Sequence, residues 1–308
     1  MNVHFDLNTA KFSHTVVTVG TFDGLHLGHK FIIDELLVQA RTLRAESVVL
    51  TFWPHPGKVL SRSGRPIELL QTLDEKINIF KETGIDHLVV YPFTPEFASL
   101  SSCDFIEQIL HPKLSAARLV VGYDHRFGKD RQGDINVLNS CTAPLGFSVV
   151  KAEVLTMEAV NISSTKIRKA LKSGNLKKAN HFLGYNYYLG GEVTDGNKIG
   201  RTLNYRTANI KVAEDKLLPK FGVYAVHVWV EEKKYFGMLN IGLRPTVTGD
   251  VQPTPEVHIF DFNKQLYGKY IKLSLVEYIR TEKRFANSTA LRNQLIQDER
   301  TVREVLNL

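Results

Sequence analysis

The sequence predicts an α/β domain with a doubly wound parallel sheet, followed by an antiparallel β-barrel that ends in a helix. From about residue 15 to residue 155, short β-rich runs such as TVVTVG and SVVLTF alternate with helical patterns, which is typical of a parallel sheet with helices on both faces. After about residue 185, closely spaced strand patterns are separated by glycine-containing turns, and this favours an antiparallel barrel. We therefore expect two domains, residues 1–184 and residues 185–308.

Four helices carry sequence signals of their own. Thr72 and Glu75 have the spacing of a capping box, which predicts a helix that runs to Lys81. Two short helices are expected over 164–172 and 176–182, because the breaker sequence SGN separates them. The tail from about 287 to 306 is polar with a sparse apolar stripe, as in an amphipathic terminal helix.

Composition and charge limit the function classes. The chain has 308 residues, of which 43% are hydrophobic and 23% charged, and these values are those of a globular protein rather than a disordered one. A formal net charge of +7 favours anionic partners, nucleotides and nucleic acid alike. The absence of a secretory signal pattern and of a long apolar run predicts a soluble protein without membrane contact.

Cysteine usage predicts a reducing, cytoplasmic setting. Cys103 and Cys141 are the only cysteines. They are too few for a disulfide framework and are not spaced as metal ligands.

Residues 20–29, GTFDGLHLGH, place His26 and His29 where an apolar strand gives way to a helix. Ligands bind at this edge of open α/β sheets, and the free N–H groups of a helix N-terminus suit phosphate. Two imidazoles there can donate to phosphate oxygens as negative charge develops in a transition state. The alternatives are that one histidine caps a turn while the other is half-buried, or that the pair binds zinc, for which no third ligand is obvious.

Residues 162–171, ISSTKIRKAL, provide a second phosphate candidate in a chain that has neither a P-loop nor a dinucleotide fingerprint. Ser164 and Thr165 stand at a predicted helix start, with Arg168 close behind. Hydroxyls, free N–H groups and a guanidinium together can clamp a triphosphate. A helix cap followed by a solvated basic face would have the same composition.

These motifs carry a family resemblance over nearly the whole chain. GTFDGLHLGH, TFWPHP, VGYDHRFGKDRQGD and ISSTKIR occur in order and resemble the Rossmann-like nucleotidyltransferase domain of bacterial bifunctional riboflavin kinase/FMN adenylyltransferases, or FAD synthetases. GEVTDGNKIGRTLNYRTANI, GVYAV, NIGLRPT, EVHIFDF, LYGKYIKL and IRTEKRF are similar to the riboflavin kinase barrel of that family. The resemblance implies phosphorylation of riboflavin to FMN, and then adenylyl transfer from a second ATP to FMN.

For the first domain, the resemblance implies that His26 and His29 are catalytic and steady the ATP phosphates. It also implies that Asp124 lies near substrate and metal. The implied ATP- and FMN-binding residues are Gly20, Phe22, Asp23, His55, Asp124, Ser164, Thr165 and Arg168.

For the barrel, Thr207 and Asn209 are two residues apart and share one face of an extended segment, where neutral oxygens can coordinate Mg²⁺. The resemblance makes this pair the metal ligands and Glu256 the base that accepts the riboflavin hydroxyl proton. Loop hydrogen bonding and a surface charge remain open as structural alternatives. The implied ATP- and flavin-binding residues of the barrel are Gly196, Lys198, Arg201, Asn240, Arg280 and Phe285.

One departure from the family pattern lies beside this presumed metal site. The family usually has Gly-Phe-Pro before Thr-Ala-Asn, whereas this chain has Asn204, Tyr205 and Arg206. Asparagine tolerates positive φ, but Arg206 loses the fixed φ of proline and adds a cation. That cation can either compete with the metal or neutralise phosphate charge.

Two rival functions follow from these observations. One is a single-activity FMN adenylyltransferase whose barrel only binds flavin. The other is a basic RNA-binding protein, which the lack of an Arg/Lys run interleaved with aromatics disfavours. The expected partners are ATP with Mg²⁺, riboflavin and FMN, without nucleic acid or membrane.

Overall fold

The fold consists of two compact units. A computed structural model describes residues 1–61, 67–122, 135–152, 156–157, 160–194, 205–245 and 251–308. Its two units are Met1–Ser164 and Thr165–Leu308. The expected boundary at 184/185 stays a prediction about functional domains. Within the described ranges no helix has the length and apolar character needed to cross a bilayer.

The first unit is built on a six-stranded, all-parallel sheet in the order β1-β4-β3-β2-β5-β6. Its strands are β1 (Asn2–His4), β2 (Thr15–Val19), β3 (Glu46–Trp53), β4 (His87–Pro92), β5 (Ala116–Val121) and β6 (Ser148–Lys151). A two-stranded antiparallel pair follows, β7 (Thr156–Met157) and β8 (Val160–Asn161). The parallel sheet is confirmed, whereas the short edge strand β1 was not predicted because three residues show no periodicity.

Helices cover this sheet. They are α1 (Leu27–Leu43), α2 (Pro56–Val59), α3 (Leu73–Lys81), α4 (Pro95–Ala98), α5 (Ser102–Phe105), α6 (His111–Leu114) and α7 (Ile135–Thr142), with a π-helical turn at Ile106–Leu110 and a 3₁₀ turn at Ala143–Leu145. The capping box of α3 is confirmed: Thr72 Oγ1 accepts from Glu75 N at 3.2 Å, and Glu75 Oε2 accepts from Thr72 N at 2.9 Å.

The sheet has a hydrophobic core on each face. Val16 of β2 packs with Ile33 and Leu36 of α1, whereas the next residue, Val17, packs with Phe105 and Leu110 on the opposite face. Successive strand side chains point to opposite faces. Burial on both faces therefore explains why these strands are continuous apolar runs.

Cys103 of α5 and Cys141 of α7 form a disulfide, with their Cα atoms 5.3 Å apart. The cysteine count did not predict this bond. The two residues are 38 positions apart in the sequence, and only the packing of α5 and α7 brings them together.

The second unit is a closed antiparallel barrel in the order β10-β13-β12-β11-β14-β9, as predicted. Its strands are β9 (Tyr188–Thr194), β10 (Ala208–Val212), β11 (Gly222–Val230), β12 (Lys233–Pro245), β13 (Val251–Ile259) and β14 (Tyr270–Arg280). Two helices, α8 (Ser164–Ser173) and α9 (Leu176–Leu183), precede it, and α10 (Ser288–Leu306) follows it. All three lie where the sequence predicted helices.

The barrel has a filled interior and a partly covered exterior. Tyr224, Leu239 and Val257 of three neighbouring strands are fully buried. On the other face, Val223 and Met238 belong to a cluster that contains Val302 of α10. The terminal helix thus covers part of the outer face of the barrel.

Candidate active sites

The loop after β2 lies at the topological switch point of the parallel sheet. The chain moves from β2 to β3 and β4 on one side and later returns to β5 on the other side, and ligands bind in the crevice beside such a point. The loop is tightly turned, because Phe22, Gly24 and Leu25 have φ values of 45°, 87° and 30°. Left-handed φ is uncommon for Phe and Leu, so other contacts must hold this conformation.

His26 and His29 form a stacked pair at the start of α1. Their ring centroids are 3.6 Å apart with an interplanar angle of 15°. His26 is the N-cap residue, and its Nδ1 accepts the backbone N–H of His29 at 3.3 Å. A neutral His26 therefore carries its proton on Nε2, where it can donate to a ligand. Helix capping and phosphate binding by His26 are therefore compatible, because they use different ring nitrogens.

His29 is held neutral. Burial lowers its pKa well below the ordinary value, and the nearby His26 and Lys76 lower it further. In the part of the chain that the structure describes, His29 Nδ1 has no hydrogen-bond partner.

Two of the implied binding residues of this loop, Asp23 and Phe22, are enclosed by the protein itself. The Asp23 carboxylate is buried and accepts from the backbone N–H groups of Leu70 at 3.0 Å and Gln71 at 3.2 Å. The Phe22 ring is also buried, and a Cβ at Gly20 would approach it to 3.0 Å. These residues shape the loop, and their ligand-binding roles stay predictions.

Ser164 is brought to the same loop, since its Oγ donates to the backbone oxygen of Asp23 at 2.8 Å. Thr165 is exposed and Arg168 half-buried on α8, within the second compact unit, and their phosphate roles stay predictions. His55 caps α2, because its Nδ1 accepts from Gly57 N at 2.9 Å. Asp124 lies outside the described residues.

Lys76 of α3 was missed by the sequence reasoning. It is only 1% exposed, and its Nζ donates to the backbone oxygen of Thr21 at 2.7 Å. Burial lowers its pKa to about 8, although the negative charge of Asp23 acts in the opposite direction. The available signal was its place four residues before Phe80, on the buried face of the helix.

In the barrel, one register level crosses all six strands and carries four of the implied kinase residues. The directly paired residues at this level, from β9 through β14, are Thr194, Asn209, Glu256, Asn240, Val223 and Arg280. Directly opposite residues of antiparallel strands project from the same face. That face is the outer one, because the neighbouring Val257 and Leu239 fill the interior.

A cavity of about 360 Å³ in the barrel contains the proposed catalytic group and the proposed metal ligands. Thr207, Asn209 and Glu256 line it together. The Thr207 hydroxyl donates to Glu256 Oε1, which leaves the hydroxyl oxygen its lone pairs for a cation. Thr207 and Asn209, singled out by their spacing, therefore line the same cavity as Glu256.

Comparison with known proteins gives both halves of this architecture a family. The FAD synthetase model matches residues 8–166, and the riboflavin kinase model matches residues 183–306. The bifunctional riboflavin kinase/FMN adenylyltransferase of Buchnera aphidicola is 38% identical over 96% of this chain and 95% of its own. The protein of the same name from Escherichia coli is 36% identical over 98% and 96%.

The chain belongs to the bifunctional riboflavin kinase/FMN adenylyltransferase family. A family member from Bacillus subtilis is 37% identical over 92% of this chain and 90% of its own. A crystal structure from Streptococcus pneumoniae, described as a macrolide-efflux protein, shares the fold with a TM-score of 0.89, at 30% identity and 98% coverage of each chain.

Arg280 and Phe285, implied flavin-pocket residues of this family, have different surroundings. Arg280 forms a two-pronged ion pair with the buried Asp298 of α10, at 2.8 Å from Nε and 2.6 Å from Nη2. The salt bridge left open as an alternative is therefore present. Phe285 is half-buried just after β14. Gly196, Lys198 and Arg201 lie outside the described residues.

Arg206, the departure from the family pattern, is fixed at the cavity. Its Nη1 donates to Asn263 Oδ1 at 2.7 Å, and its backbone oxygen accepts from His258 Nδ1 at 2.7 Å. The preceding Tyr205 packs against the His258 ring at 5.0 Å. Burial, and then a hydrogen bond with Glu299, raise the pKa of Tyr205 to about 12. Side-chain contacts therefore hold a segment where the family resemblance led us to expect a proline.

Proposed function

We propose that the chain catalyses two successive reactions of flavin cofactor synthesis. The barrel transfers the γ-phosphoryl group of ATP to the ribityl 5'-hydroxyl of riboflavin, giving FMN and ADP. The α/β unit then transfers AMP from a second ATP to FMN, giving FAD and pyrophosphate. The observation that carries the proposal is the succession of a FAD synthetase match and a riboflavin kinase match along one chain.

In the phosphorylation step, Glu256 is the general base. Its carboxylate accepts the proton of the ribityl hydroxyl as that oxygen attacks the γ-phosphorus, a contribution of about 10² to 10⁴ in rate. The hydrogen bond from Thr207 fixes one carboxylate oxygen at the cavity, and this orients the group before substrate binds.

The donor set beside Glu256 fits Mg²⁺. Thr207 and Asn209 offer neutral oxygens, and Mg²⁺ takes oxygen ligands, commonly from one or two protein groups together with substrate phosphates. When bound, the ion offsets the negative charge of the ATP phosphates. Asn240, which pairs with Glu256 across β12 and β13, is proposed to contact substrate at the same level of the barrel.

In the adenylylation step, the phosphate of FMN attacks the α-phosphorus of ATP, and no covalent enzyme intermediate is needed. His26 donates from Nε2 to phosphate oxygens, while His29 and the free N–H groups at the start of α1 complete the donor set. Gly20, Phe22, Asp23 and Ser164 are proposed to keep the loop in its binding form. We assign residues 1–184 to this activity and residues 185–308 to the kinase.

We place the reactions in the cytoplasm, where ATP is available. The Cys103–Cys141 disulfide argues against that compartment, because cytoplasmic thiols are normally kept reduced. Thiol alkylation of the protein in freshly lysed cells distinguishes the two states of this pair.

Chromatography of reaction products tests the proposal. Riboflavin with MgATP is expected to give FMN and then FAD, and FMN with MgATP is expected to give FAD. The single-activity alternative gives FAD from FMN but no FMN from riboflavin. Failure of both reactions, together with salt-dependent binding to generic RNA, would support the RNA-binding alternative instead.

A further inference from the structure

Lys76 lies beneath the loop that follows β2, although lysine is almost never fully buried unless it is paired. Its Nζ donates to the Thr21 backbone oxygen at 2.7 Å and lies 3.4 Å from Thr51 Oγ1. The Thr51 hydroxyl donates to the same Thr21 oxygen at 3.2 Å. The Lys76 ammonium, the Thr51 hydroxyl and the Thr21 carbonyl thus meet beneath the loop that follows β2.

The held carbonyl belongs to the residue before Phe22, the first of the loop residues in the left-handed region. On the other side of the loop, Asp23 is tied to the backbone of Leu70 and Gln71. Lys76 and Asp23 therefore fix two ends of a short strained segment that leads directly into the His26–His29 pair. Movement of the Thr21 carbonyl would therefore displace the backbone that positions both imidazoles.

The positive charge of Lys76 has no ion-pair partner within the described part of the chain. The titratable groups whose charges interact with that of Lys76 there are Asp23 of the loop and His29 of α1. Asp23 is already engaged by backbone N–H groups, and a histidine has no negative charge with which to pair a lysine. An anionic ligand above the loop is thus the natural complement of this buried cation.

We propose that Lys76 is a positioning residue for adenylyl transfer, whose ammonium holds the Thr21 carbonyl and places a buried positive charge behind the histidine pair that meets the ATP phosphates. This inference rests on the proposed function of the first unit. The ammonium is the protonated form, so deprotonation at alkaline pH removes both effects. Conversely, bound polyphosphate favours the charged form and moves its loss to higher pH.

The test is the pH profile of FMN adenylylation with saturating and limiting ATP, from neutral to alkaline pH. The wild type is expected to lose kcat/KM for ATP on the alkaline side. Lys76→Arg keeps its charge throughout, so its alkaline decline moves to higher pH. Lys76→Met is expected to raise the KM for ATP about tenfold or more, as the loss of a charged hydrogen bond does, and to lack the Lys76-dependent decline. Riboflavin phosphorylation in the same samples is the control and should be unaffected.

An alkaline decline at the same pH in the wild type and Lys76→Arg would overturn the proposal, as would a wild-type KM for ATP in Lys76→Met. If thermal melts show that neither variant folds, the same pH profile is measured on Thr51→Val. Valine keeps the shape but removes an acceptor beside Nζ, so the decline is expected at lower pH, and an unmoved decline refutes the role of Lys76. A wild type that forms no FAD from FMN at any pH is a distinct result, which contradicts the proposed function and removes this inference with it.

Discussion

His26 shows how one side chain can hold a helix start and still have a ring nitrogen to offer a ligand. Its Nδ1 caps α1, and its ring stacks on His29, so only Nε2 is left to meet phosphate. The neighbouring His29 is kept neutral by burial. We therefore expect it to offer phosphate a directed hydrogen bond rather than a full positive charge.

Replacing His29 with alanine is expected to reduce FMN-to-FAD conversion by about 10² to 10³, the usual effect of losing one transition-state donor. Riboflavin-to-FMN conversion should stay near normal. Steady-state assays of both reactions on the same preparation measure this. His14→Ala is the matched control, because His14 is exposed in the same unit. Equal loss of both activities in folded His29→Ala would contradict separate sites.

Arg206 supplies a second residue-scale prediction. One of its guanidinium N–H groups is used by Asn263, and among the described residues no other group engages the rest, at a cavity that Thr207 and Glu256 also line. This placement favours phosphate neutralisation over competition with the metal. Arg206→Ala should lower kinase kcat/KM about tenfold or more, since charged hydrogen bonds contribute about 1.5–3 kcal/mol.

An MgATP titration of riboflavin phosphorylation measures the effect of Arg206→Ala. Arg300→Ala removes an exposed arginine from α10 and should change nothing. Faster phosphorylation by Arg206→Ala at low Mg²⁺ would show instead that the cation hinders the metal, the other alternative that the sequence left open.

At the scale of elements, α10 is attached to the barrel by the buried pair of Arg280 and Asp298. Gln294 adds a hydrogen bond to Asp298 Oδ1 at 2.9 Å. The same helix covers Val223 and Met238 on the outer face of the barrel. The ion pair also fixes Arg280 at the register level of Glu256, so helix docking and site geometry are linked.

Asp298→Asn is expected to destabilise the barrel by about 3–5 kcal/mol, because removing one partner leaves a largely buried arginine uncompensated. Urea unfolding in a Trp53→Phe background measures this, since Trp229 of β11 is then the only tryptophan. Glu304→Gln breaks an exposed pair with Arg300 and should change stability by less than about 0.5 kcal/mol. Equal effects of the two substitutions would mean that the buried pair does not anchor α10.

Local patterns predicted the elements well, because periodicity, caps and turns are properties of short segments. The capping box of α3 and the strands around Val16 are examples. The meeting of Thr207, Asn209 and Glu256 was expected only from the family resemblance. The pairing of Cys103 with Cys141 and the burial of Lys76 were not predicted. Both depend on which distant segments pack together. The disulfide leaves no spacing signal, and the four-residue spacing of Lys76 and Phe80 shows a shared helix face but not the Thr21 carbonyl that lies against it.

At the scale of the whole molecule, the two compact units carry separate sets of polar groups. The histidine pair lies at the sheet edge of the first unit, and the Glu256 cavity lies on the barrel of the second. FMN is the product of one proposed reaction and the substrate of the other. A variant that has lost riboflavin phosphorylation should therefore still form FAD when FMN is supplied.

Glu256→Gln separates the two reactions, because the amide keeps the shape of the carboxylate but accepts no proton at neutral pH. The measurement is chromatography of the flavins that the variant and the wild type form from riboflavin with MgATP, and separately from FMN with MgATP. We predict that the variant makes almost no FMN or FAD from riboflavin and makes FAD from FMN at the wild-type rate. Undiminished FMN formation from riboflavin, or loss of FAD formation from FMN, would contradict the account.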